Sequence, residues 1–375
     1  MSLSVLMLLE AEFPAMGGAE RQVETLCNAL LDDGQQVMVL VPRVNRALPA
    51  GADMQGRIPV WRINYPPIRR MGTLVLLVRL VWLLWRWRGR YDAIHVHIAH
   101  NMGAVACIVG RLLDKPVVVK FSGWWEQERG CLRPKRSLGS VAALWMLHQA
   151  SAVQAISRRI AADLVRVGFR AERVHWLPNG VPMARFECIE RNDVGNLPPT
   201  VVFVGRLVPE KGLDTLLEAW AQADRPAGWR LRLVGGGDRG SELAASAARL
   251  GIASSVDFTG PSTTVDLELA RADVGVLPSR FEGLSNTLLE YMAAALPVIA
   301  TRISGSEDFV APGRNGWLCE VDDVDALAAA LSEAMALPAS MRRTMGTLAC
   351  VDVMAKASMP AVVAQLLPLY RGVAA

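Results

Sequence analysis

The sequence is poor in the residues that build disulfide-rich domains and zinc sites. Its six cysteines are scattered without a C-x-x-C pair, which excludes a disulfide framework and is typical of reduced thiols in a cytosolic protein. The five histidines have no neighbouring cysteine or histidine set that would complete four ligands, so we expect no metal site. The chain also has no recognisable nucleic-acid-binding module, and we expect no nucleic acid partner.

Long apolar runs are missing as well. The longest one, LVLLVRLVWLLW at residues 74–85, is interrupted by Arg79. As a helix it would be about 18 Å long, whereas the hydrocarbon core of a bilayer is about 30 Å thick. The first residues, MSLSVLMLLEAEF, have no basic segment and soon reach Glu10. They therefore predict a first strand and no export signal.

Length and charge indicate two domains with different surfaces. A chain of 375 residues with 52% apolar residues exceeds what one core usually organises and is ample for two. Residues 1–185 carry 24 Lys and Arg against 13 Asp and Glu, whereas residues 186–375 carry 16 against 23. The basic first half is expected to face something anionic, unless the imbalance is unselected surface variation.

The order of the apolar segments predicts an α/β protein. Short, continuously apolar runs recur between stretches of helical periodicity, which is typical of parallel strands buried on both faces. The runs form two sets, separated by a Pro- and Gly-rich stretch at residues 178–200. We predict two doubly wound domains, residues 1–185 and 186–355, with a helix at 356–375 that packs back toward the first. Ligands of such sheets bind at the carboxyl ends of the strands.

The second domain has basic and glycine residues at two of these strand ends. In VVFVGRLVPEKGLD the strand is followed by Gly205, Arg206 and Lys211. A planar guanidinium and a compact ammonium together suit a diphosphate that gains charge as it leaves. The next strand ends in RLVGGGD, where Gly235 and Gly236 let a ligand approach the backbone.

A third strand end carries two carboxylates. The segment RFEGLSNTLLEYM has Glu282 before a predicted helix and Glu290 within it. The loop between them consists of Gly283, Leu284 and Ser285, and either Ser285 or Asn286 is the predicted helix cap. Carboxylates accept hydrogen bonds from hydroxyl groups, so beside a diphosphate we expect them to bind sugars. The alternative is a capped helix with two surface glutamates.

The first domain offers a glycine loop and two histidines. Gly17 and Gly18 lead directly into an amphipathic helix, whose N-terminus favours an anion, although a glycine pair also fits a simple tight turn. This loop lacks the G-x-G-x-x-G spacing, which argues against an NAD-dependent dehydrogenase. In DAIHVHIAHN, alternation places His95 and His97 on one face of a strand. His97 is nearer the expected site, where it could bind a sugar hydroxyl. The alternatives are a structural role and a metal-binding role.

With these residues the chain resembles the retaining glycosyltransferases of family 4, which have the GT-B fold of two facing Rossmann-like domains. The likeness covers nearly the whole length through GGAER, DAIHVH, LPNGV, VGRLVPEKGLD, VGGGD and an E-x7-E motif followed by ALPVIAT. It implies transfer of a sugar, with retention, from a UDP- or GDP-linked donor to a saccharide or polyprenyl-diphosphate-linked acceptor in cell-surface or exopolysaccharide biosynthesis. No metal or other cofactor is implied.

The resemblance also implies residue roles. Glu290 would hold the ribose hydroxyls, Glu282 the donor sugar, Arg206 and Lys211 the diphosphate, and His97 a sugar hydroxyl at the reacting face. The catalytic set is then His97, Arg206, Lys211 and Glu282. The donor set adds Glu290 and loop residues of both domains: Gly17, Gly18, Gly205, Gly235, Gly236, Gly283, Leu284 and Ser285.

The chain departs from the family pattern at a few positions. It has EGLS where a phenylalanine and a second glycine are frequent, Tyr291 where alanine is common after the second glutamate, and Ala295 where glycine is usual. The pair Asp323 and Asp325 matches an Asp-x-Asp metal motif in form. We interpret it as the start of a helix, because acidic residues favour helix N-termini.

The acceptor side is expected in the first domain, which holds 8 of the 11 tryptophans. The acceptor set is His95, Ser122, Gly123, Trp124 and Trp125. Alternating Trp and Arg at the end of TLVLLVRLVWLLWRWRGR suit a membrane interface, so we predict a cytoplasmic protein that is peripheral on the inner face of the cytoplasmic membrane. The alternative is an ordinary buried helix.

Two other functions fit the same fold. A nucleotide-sugar 2-epimerase needs no acceptor, and a non-catalytic module would bind the nucleotide-sugar without transferring it. Both keep the donor residues. Product formed from the donor alone would indicate the epimerase.

Overall fold

The computed structural model describes residues 2–15, 17–68, 70–123, 138–187 and 197–373. The chain divides into two compact units. The first comprises Met1–Gly180 and Met359–Ala375, and the second comprises Val181–Ser358. The first unit thus takes in the end of the chain, and the division at Gly180 lies five residues before the boundary drawn from the sequence.

The first unit is built on an eight-stranded sheet with the order β3-β4-β2-β1-β5-β6-β7-β8. Neighbouring strands are parallel, except that β3 runs antiparallel to β4 at one edge. The strands are β1 (Ser4–Leu8), β2 (Gln36–Pro42), β3 (Gly51–Gln55), β4 (Ile58–Ile63), β5 (Ala93–Val96), β6 (Val117–Phe121), β7 (Ala152–Ala155) and β8 (Val174–Trp176).

Helices connect these strands in the doubly wound manner. They are α1 (Gly18–Asp32), α2 (Met71–Arg86), α3 (Asn101–Leu112), α4 (Leu138–Leu147) and α5 (Arg158–Arg166). The apolar side of α1, with Val23, Leu26 and Leu30, is buried in one core together with side chains of β1 and β2. This burial is the reason that the amphipathic pattern of the sequence becomes a helix here.

The second unit has a six-stranded sheet with the order β11-β10-β9-β12-β13-β14, and all its described pairs are parallel. Its strands are β9 (Thr200–Val204), β10 (Arg230–Val234), β11 (Val256–Gly260), β12 (Val274–Leu277), β13 (Val298–Thr301) and β14 (Gly316–Cys319). Every residue of β9, β12 and β13 is buried, as their continuous apolar runs predict.

The helices of this unit are α6 (Ala184–Glu187), α7 (Leu213–Gln222), α8 (Gly240–Arg249), α9 (Val265–Ala270), α10 (Asn286–Ala293), α11 (Ser306–Phe309), α12 (Val324–Ala336) and α13 (Ala339–Ala357). The side chain of Asp323 caps α12 by accepting a hydrogen bond from the backbone N–H of Ala326 at 2.9 Å. The prediction that the Asp-x-Asp sequence begins a helix is confirmed.

The last helix, α14 (Met359–Tyr370), belongs to the first unit. Its buried side chains, including Val362, Leu366 and Tyr370, share a core with α1 and β1. No single helix in the described part of the chain is long and apolar enough to cross a membrane. Helices α12 and α13 meet the length and composition criteria for a membrane span only when taken together, and the angle of the bend between them is 113°.

Candidate functional site

The site residues predicted in the second unit lie at one edge of its sheet. Strands β10, β9, β12 and β13 are consecutive neighbours and run parallel, so their carboxyl ends share that edge. Three predicted loops emerge there: residues 205–212 after β9, residues 235–239 after β10 and residues 278–285 after β12. The topology therefore brings together segments that are up to about 80 positions apart in the sequence.

Close packing of the first two loops explains their glycines. A side chain at Gly235 would put its Cβ atom 1.8 Å from the carbonyl oxygen of Gly205. The loops are joined by hydrogen bonds from the Gly205 N–H to the Val234 carbonyl and from the Leu207 N–H to the Gly236 carbonyl. Gly235 is thus required by contact between two loops. Residues 235–240 do have the G-x-G-x-x-G spacing, but Gly235 serves this contact.

Lys211 and Glu282 meet at this edge. The Lys211 ammonium forms an ion pair with Oε1 of Glu282, and both side chains are more than four-fifths buried. The Ser279 hydroxyl donates to the same carboxylate oxygen at 3.2 Å. The sequence predicts separate roles for the Lys211 ammonium and the Glu282 carboxylate. The structure shows that they also contact each other, although they are 71 positions apart in the sequence.

Arg206 is placed differently from Lys211. Its side chain is exposed, and its guanidinium makes no hydrogen bond or ion pair with the residues that the structure describes. A guanidinium free of carboxylate partners keeps all five of its donors for an anion. Arg206 thus differs from Lys211, whose ammonium is already paired with a carboxylate.

Sequence reasoning missed a second arginine, Arg280, that joins the loop after β12 to the loop after β9. Its guanidinium contacts Asp322 at 2.7 Å, Asp214 at 3.0 Å and the carbonyl oxygen of Pro209 at 2.6 Å. Its backbone N–H donates to the Glu210 carbonyl at 2.8 Å. These contacts fix the segment that carries Lys211 against the segment that carries Glu282.

The loop between the two predicted carboxylates is buried. Gly283, Leu284 and Ser285 are all buried, and Ser285 is the residue before α10. Ser285 is the N-cap residue, one of the two predicted, and this position is confirmed. Its side chain makes no capping hydrogen bond, however, and its backbone is extended. Glu290 is the fifth residue of α10 and is half-buried.

The structure gives a role to one departure from the family pattern and shows the cost of another. Tyr291 is fully buried, its hydroxyl accepts a hydrogen bond from the backbone N–H of Val204 at 2.7 Å, and burial raises its pKa. It therefore joins α10 to the end of β9, directly before Gly205. Ala295 has a left-handed backbone with φ of 52°, a conformation in which glycine costs less.

In the first unit the glycine pair begins α1. Gly17 is the cap residue and Gly18 the first helical residue. The carboxylate of Glu20 lies beside the cap, 2.1 Å from where a Cβ atom of Gly17 would be. An exposed glycine and a carboxylate from the first helical turn thus lie together at the start of α1. Because like charges repel, a phosphate that bound at this helix N-terminus would have to displace the carboxylate.

The rings of His95 and His97 stack with their centroids 4.2 Å apart, as the predicted common face requires. His95 is fully buried, and its ring nitrogens contact the Tyr370 hydroxyl at 2.7 Å and Oε1 of Gln154 at 3.1 Å. Burial, and the charge of Lys120 after it, lower the pKa of His95 to about 3. Both nitrogens are therefore used inside the unit, and an acceptor sugar would reach His95 only if this network opened.

His97 keeps an unused ring nitrogen. Its Nε2 lies 3.4 Å from the sulfur of Met7, while its Nδ1 is buried and has no hydrogen-bond partner among the described residues. Burial, followed by His95 and Lys120, lowers the pKa of His97 well below its usual value. The ring is thus neutral at pH 7. A buried unpaired polar atom is costly, and a sugar hydroxyl would satisfy it.

Sequence reasoning missed a third histidine at the carboxyl edge of the first sheet. Nδ1 of His100 lies 2.7 Å from Oε1 of Glu10, whose other oxygen accepts from the Met102 N–H at 2.6 Å. Glu10 follows β1 and His100 follows β5, and these strands are neighbours. The HIAHN sequence contains the signal, since His100 directly precedes α3.

The remaining predicted acceptor residues follow β6. Ser122 is half-buried, and Gly123 is buried with φ of 90°. Trp124 and Trp125 lie outside the described residues.

Comparison with known proteins gives the same assignment for both units. The family model described as Glycosyltransferase Family 4 matches residues 16–185, and the one described as Glycosyl transferases group 1 matches residues 198–336. The chain is 29% identical to the GDP-mannose-dependent alpha-mannosyltransferase of Mycolicibacterium smegmatis, over 99% of this chain and 98% of that protein.

Two further similarities differ in extent. An exopolysaccharide phosphotransferase of Streptomyces coelicolor is 36% identical over 47% of this chain, but the match spans only 18% of that protein. The structure of Anabaena HepE in complex with UDP is similar with a TM-score of 0.79 at 22% identity, covering 97% of this chain and 98% of that one. The fold and the two family models define a glycosyltransferase of the GT-B class. Within that class, the chain belongs to the family 4 type, because the two family models together match residues 16–185 and 198–336.

Proposed function

We propose that this protein transfers a sugar from a nucleotide-diphosphate sugar to a hydroxyl group of a saccharide or lipid-linked acceptor, with retention of the anomeric configuration. The observation that carries the proposal is the contact of Glu282 with Lys211, which lies on the same loop as Arg206, whose guanidinium has no partner among the described residues. Cations suit a diphosphate and carboxylates suit sugar hydroxyls. A donor molecule presents both chemistries side by side.

The proposed roles follow from the charges. Arg206 and Lys211 bind the diphosphate and stabilise the negative charge that develops on its outer phosphate as the bond to the sugar breaks. With two protein cations supplying this stabilisation, the reaction does not need a metal. When the donor binds, the Lys211 ammonium turns toward the phosphate, and the Glu282 carboxylate accepts from a sugar hydroxyl. Glu290 accepts from the ribose hydroxyls.

The bond changes balance without a protein nucleophile. The acceptor oxygen bonds to the anomeric carbon on the face from which the diphosphate departs, and the bond from that carbon to the phosphate oxygen breaks. The acceptor proton passes to the departing phosphate oxygen. Entry and departure on the same face give retention. The neutral Nδ1 of His97 contributes a hydrogen bond to a sugar hydroxyl at that face.

The acceptor and the location are also proposals. We infer an acceptor in cell-surface or exopolysaccharide biosynthesis, either a free saccharide or one linked to a polyprenyl diphosphate. The protein would act in the cytoplasm, peripheral to the inner face of the membrane. Cys27, Cys107, Cys319 and Cys350 are free thiols, which is usual for a reducing compartment.

A nucleotide panel tests the donor. We expect UDP- or GDP-linked sugars to raise the melting temperature in proportion to their concentration over Kd. The Arg206→Ala variant should lose this shift, and Arg271→Ala, which changes an exposed arginine elsewhere in the unit, should keep it. A panel without any shift would contradict the proposal.

Turnover tests the reaction. With a binding donor and a saccharide acceptor mixture, Glu290→Gln should lower turnover at least about a hundredfold without lowering the melting temperature. Nuclear magnetic resonance of the product should show the anomeric configuration of the donor. A product formed from the donor alone would identify an epimerase instead, and binding without any product would identify a non-catalytic module.

A further inference from the structure

Helix α2 exposes a continuous apolar stripe. Leu74, Trp82 and Trp85 are 62%, 61% and 55% exposed, in sharp contrast to the buried opposite side with Leu76, Leu80, Leu83 and Leu84. The α2 stripe is defined as Met71, Leu74, Val78, Val81, Trp82 and Trp85. At 3.6 residues per turn these six side chains fall within an arc of about 100°. A contiguous group of exposed apolar side chains on one helix indicates an interaction site.

The charges around the stripe have one sign. Between Met54 and Tyr91 the sequence contains no Asp or Glu. Arg79 and Arg86 project along one side of the stripe, and Arg88 and Arg90 follow the helix. All four side chains are exposed. The Arg88 guanidinium lies over the Trp85 ring at 5.5 Å, which holds a cation at the tryptophan end of the stripe.

A cavity lies beside the stripe. It has a volume of about 380 Å³ and is lined by Trp61, Ile63, Leu83 and the stripe residue Trp82, with Arg79 among its polar lining. An apolar chain that follows the surface of α2 would find further contact area here. The cavity therefore favours an occupant with flexible apolar chains and an anionic group near them.

A second copy of this chain fits the surface poorly. A symmetric dimer through the stripe would place the arginines of both copies against each other without a carboxylate in residues 55–90, and like charges in contact oppose association. An anionic lipid surface satisfies both features. It takes the apolar side chains below the head groups, the indole rings at head-group depth and the guanidinium groups at the phosphates.

We propose that the exposed side of α2 docks this protein on an anionic lipid bilayer, with the helix lying parallel to the surface. The 16-residue helix is about 24 Å long, too short to cross the hydrocarbon core. The inference rests on the membrane location proposed above and assigns it to one surface. Its test needs no turnover, so the docking and the sugar transfer fail independently.

Vesicle sedimentation tests the docking with the full chain. At low salt the protein should pellet with vesicles of phosphatidylglycerol and phosphatidylcholine, and remain in the supernatant with phosphatidylcholine alone. The W82S/W85S variant should bind the anionic vesicles at least about tenfold more weakly. The charge reversal R86E/R90E should also lose binding, and salt should weaken the wild type because head-group attraction is screened.

Matched controls separate the stripe from general effects. The V351S/M354S variant removes two exposed apolar side chains from α13, and R271E/R343E makes the same change in net charge on exposed arginines of the second unit. Both should bind like the wild type, and all variants should melt within about 2 °C of it. Equal losses in stripe and control variants would overturn the proposal, as would a wild type that never pellets. Concentration-dependent dimerisation that W82S/W85S abolishes would assign the stripe to a second copy instead.

Discussion

The hydroxyl of Tyr370 lies 2.7 Å from Nδ1 of His95, which links the last helix of the chain to strand β5 across 275 positions. The other ring nitrogen of His95 contacts Oε1 of Gln154 on β7, and the Gln154 amide donates to the Leu177 carbonyl at 2.9 Å. Because Oε1 can only accept, Nε2 carries the proton and Nδ1 accepts from Tyr370. The first unit is thus closed by a buried polar network.

Removal of the Tyr370 hydroxyl should destabilise the protein. The Tyr370→Phe variant leaves Nδ1 of His95 buried without a donor, which costs about 1–2 kcal/mol. Urea unfolding should show a lower midpoint with an unchanged slope. Tyr65→Phe is the control, since the Tyr65 hydroxyl makes no hydrogen bond in the described part of the protein. Equal midpoints for Tyr370→Phe and the wild type would show that the contact contributes nothing.

The stability of the protein should fall as the pH falls below about 6.5. Burial lowers the pKa of His95 to about 3 and that of His97 in the same direction, while an unfolded histidine titrates near 6.5. Between these values the unfolded chain binds more protons, so each such histidine contributes a slope of up to about 1.4 kcal/mol per pH unit, with stability rising as pH rises.

Urea unfolding at several pH values from 7.5 to 4.5 measures this slope. His95→Gln should have a shallower dependence than the wild type, by roughly one proton. Carboxylates that titrate in the same range contribute equally to both proteins and cancel in the comparison. Parallel curves would mean that His95 does not titrate differently in the folded and unfolded states.

The sequence was sufficient to predict buried parallel strands but not every strand. Short apolar runs predict strands such as β9, β12 and β13, because a strand covered on both faces leaves a distinct pattern. Strand β3 was missed: it alternates between half-buried and exposed residues at the edge of the sheet. Strands β4, β11 and β14 mix polar residues or glycine into their runs, and β7 contains Gln154, whose role in the buried network depends on tertiary contacts.

In the candidate site, too, some features could be predicted from the sequence and others depend on tertiary contacts. Arg206, Lys211 and Glu282 were found because basic and acidic groups at strand ends have a chemical meaning that needs only the topology. The contact between Lys211 and Glu282 was not predicted, since it depends on how two loops fold against each other. The role of Tyr291 also requires coordinates: its partner is a backbone N–H 87 positions away.

Separate binding of diphosphate and sugar should distinguish Lys211 from Glu282. Lys211→Met should weaken binding of the nucleoside diphosphate at least about tenfold, because an ammonium that contacts phosphate is lost. Glu282→Gln should weaken binding of the complete nucleotide-sugar but not of the diphosphate, since it removes only the acceptor for a sugar hydroxyl. Calorimetric titration of both ligands against both variants measures this. Loss of diphosphate affinity in Glu282→Gln would contradict the proposed division of roles.

Removal of the Tyr291 hydroxyl should affect both stability and the donor site. Tyr291→Phe leaves the buried N–H of Val204 without its acceptor, which costs about 1–3 kcal/mol. Since Val204 directly precedes Gly205 and Arg206, we also expect weaker binding of the nucleoside diphosphate. The two readouts are urea unfolding and calorimetric titration. A variant that is destabilised but binds normally would limit Tyr291 to a structural role.

Replacement of Ala295 by glycine should stabilise the protein. Helix α10 ends in a Schellman motif, in which the Leu296 N–H donates to the Tyr291 carbonyl and the Ala295 N–H to the Met292 carbonyl. Ala295 occupies the left-handed position of this motif, with φ of 52°. Glycine removes the steric cost of Cβ in this conformation, but it also increases the conformational entropy of the unfolded chain. The net increase in the free energy of unfolding is about 0.5–1 kcal/mol.

The neighbouring residue provides the control for this substitution. Ala294 has φ of −78°, a conformation in which Cβ costs nothing, so Ala294→Gly should destabilise the protein by about 0.5–1 kcal/mol. The two variants carry the same substitution at adjacent positions. Their urea unfolding midpoints should nevertheless move in opposite directions. If both midpoints fell, the left-handed backbone at Ala295 would not control the effect of glycine at that position.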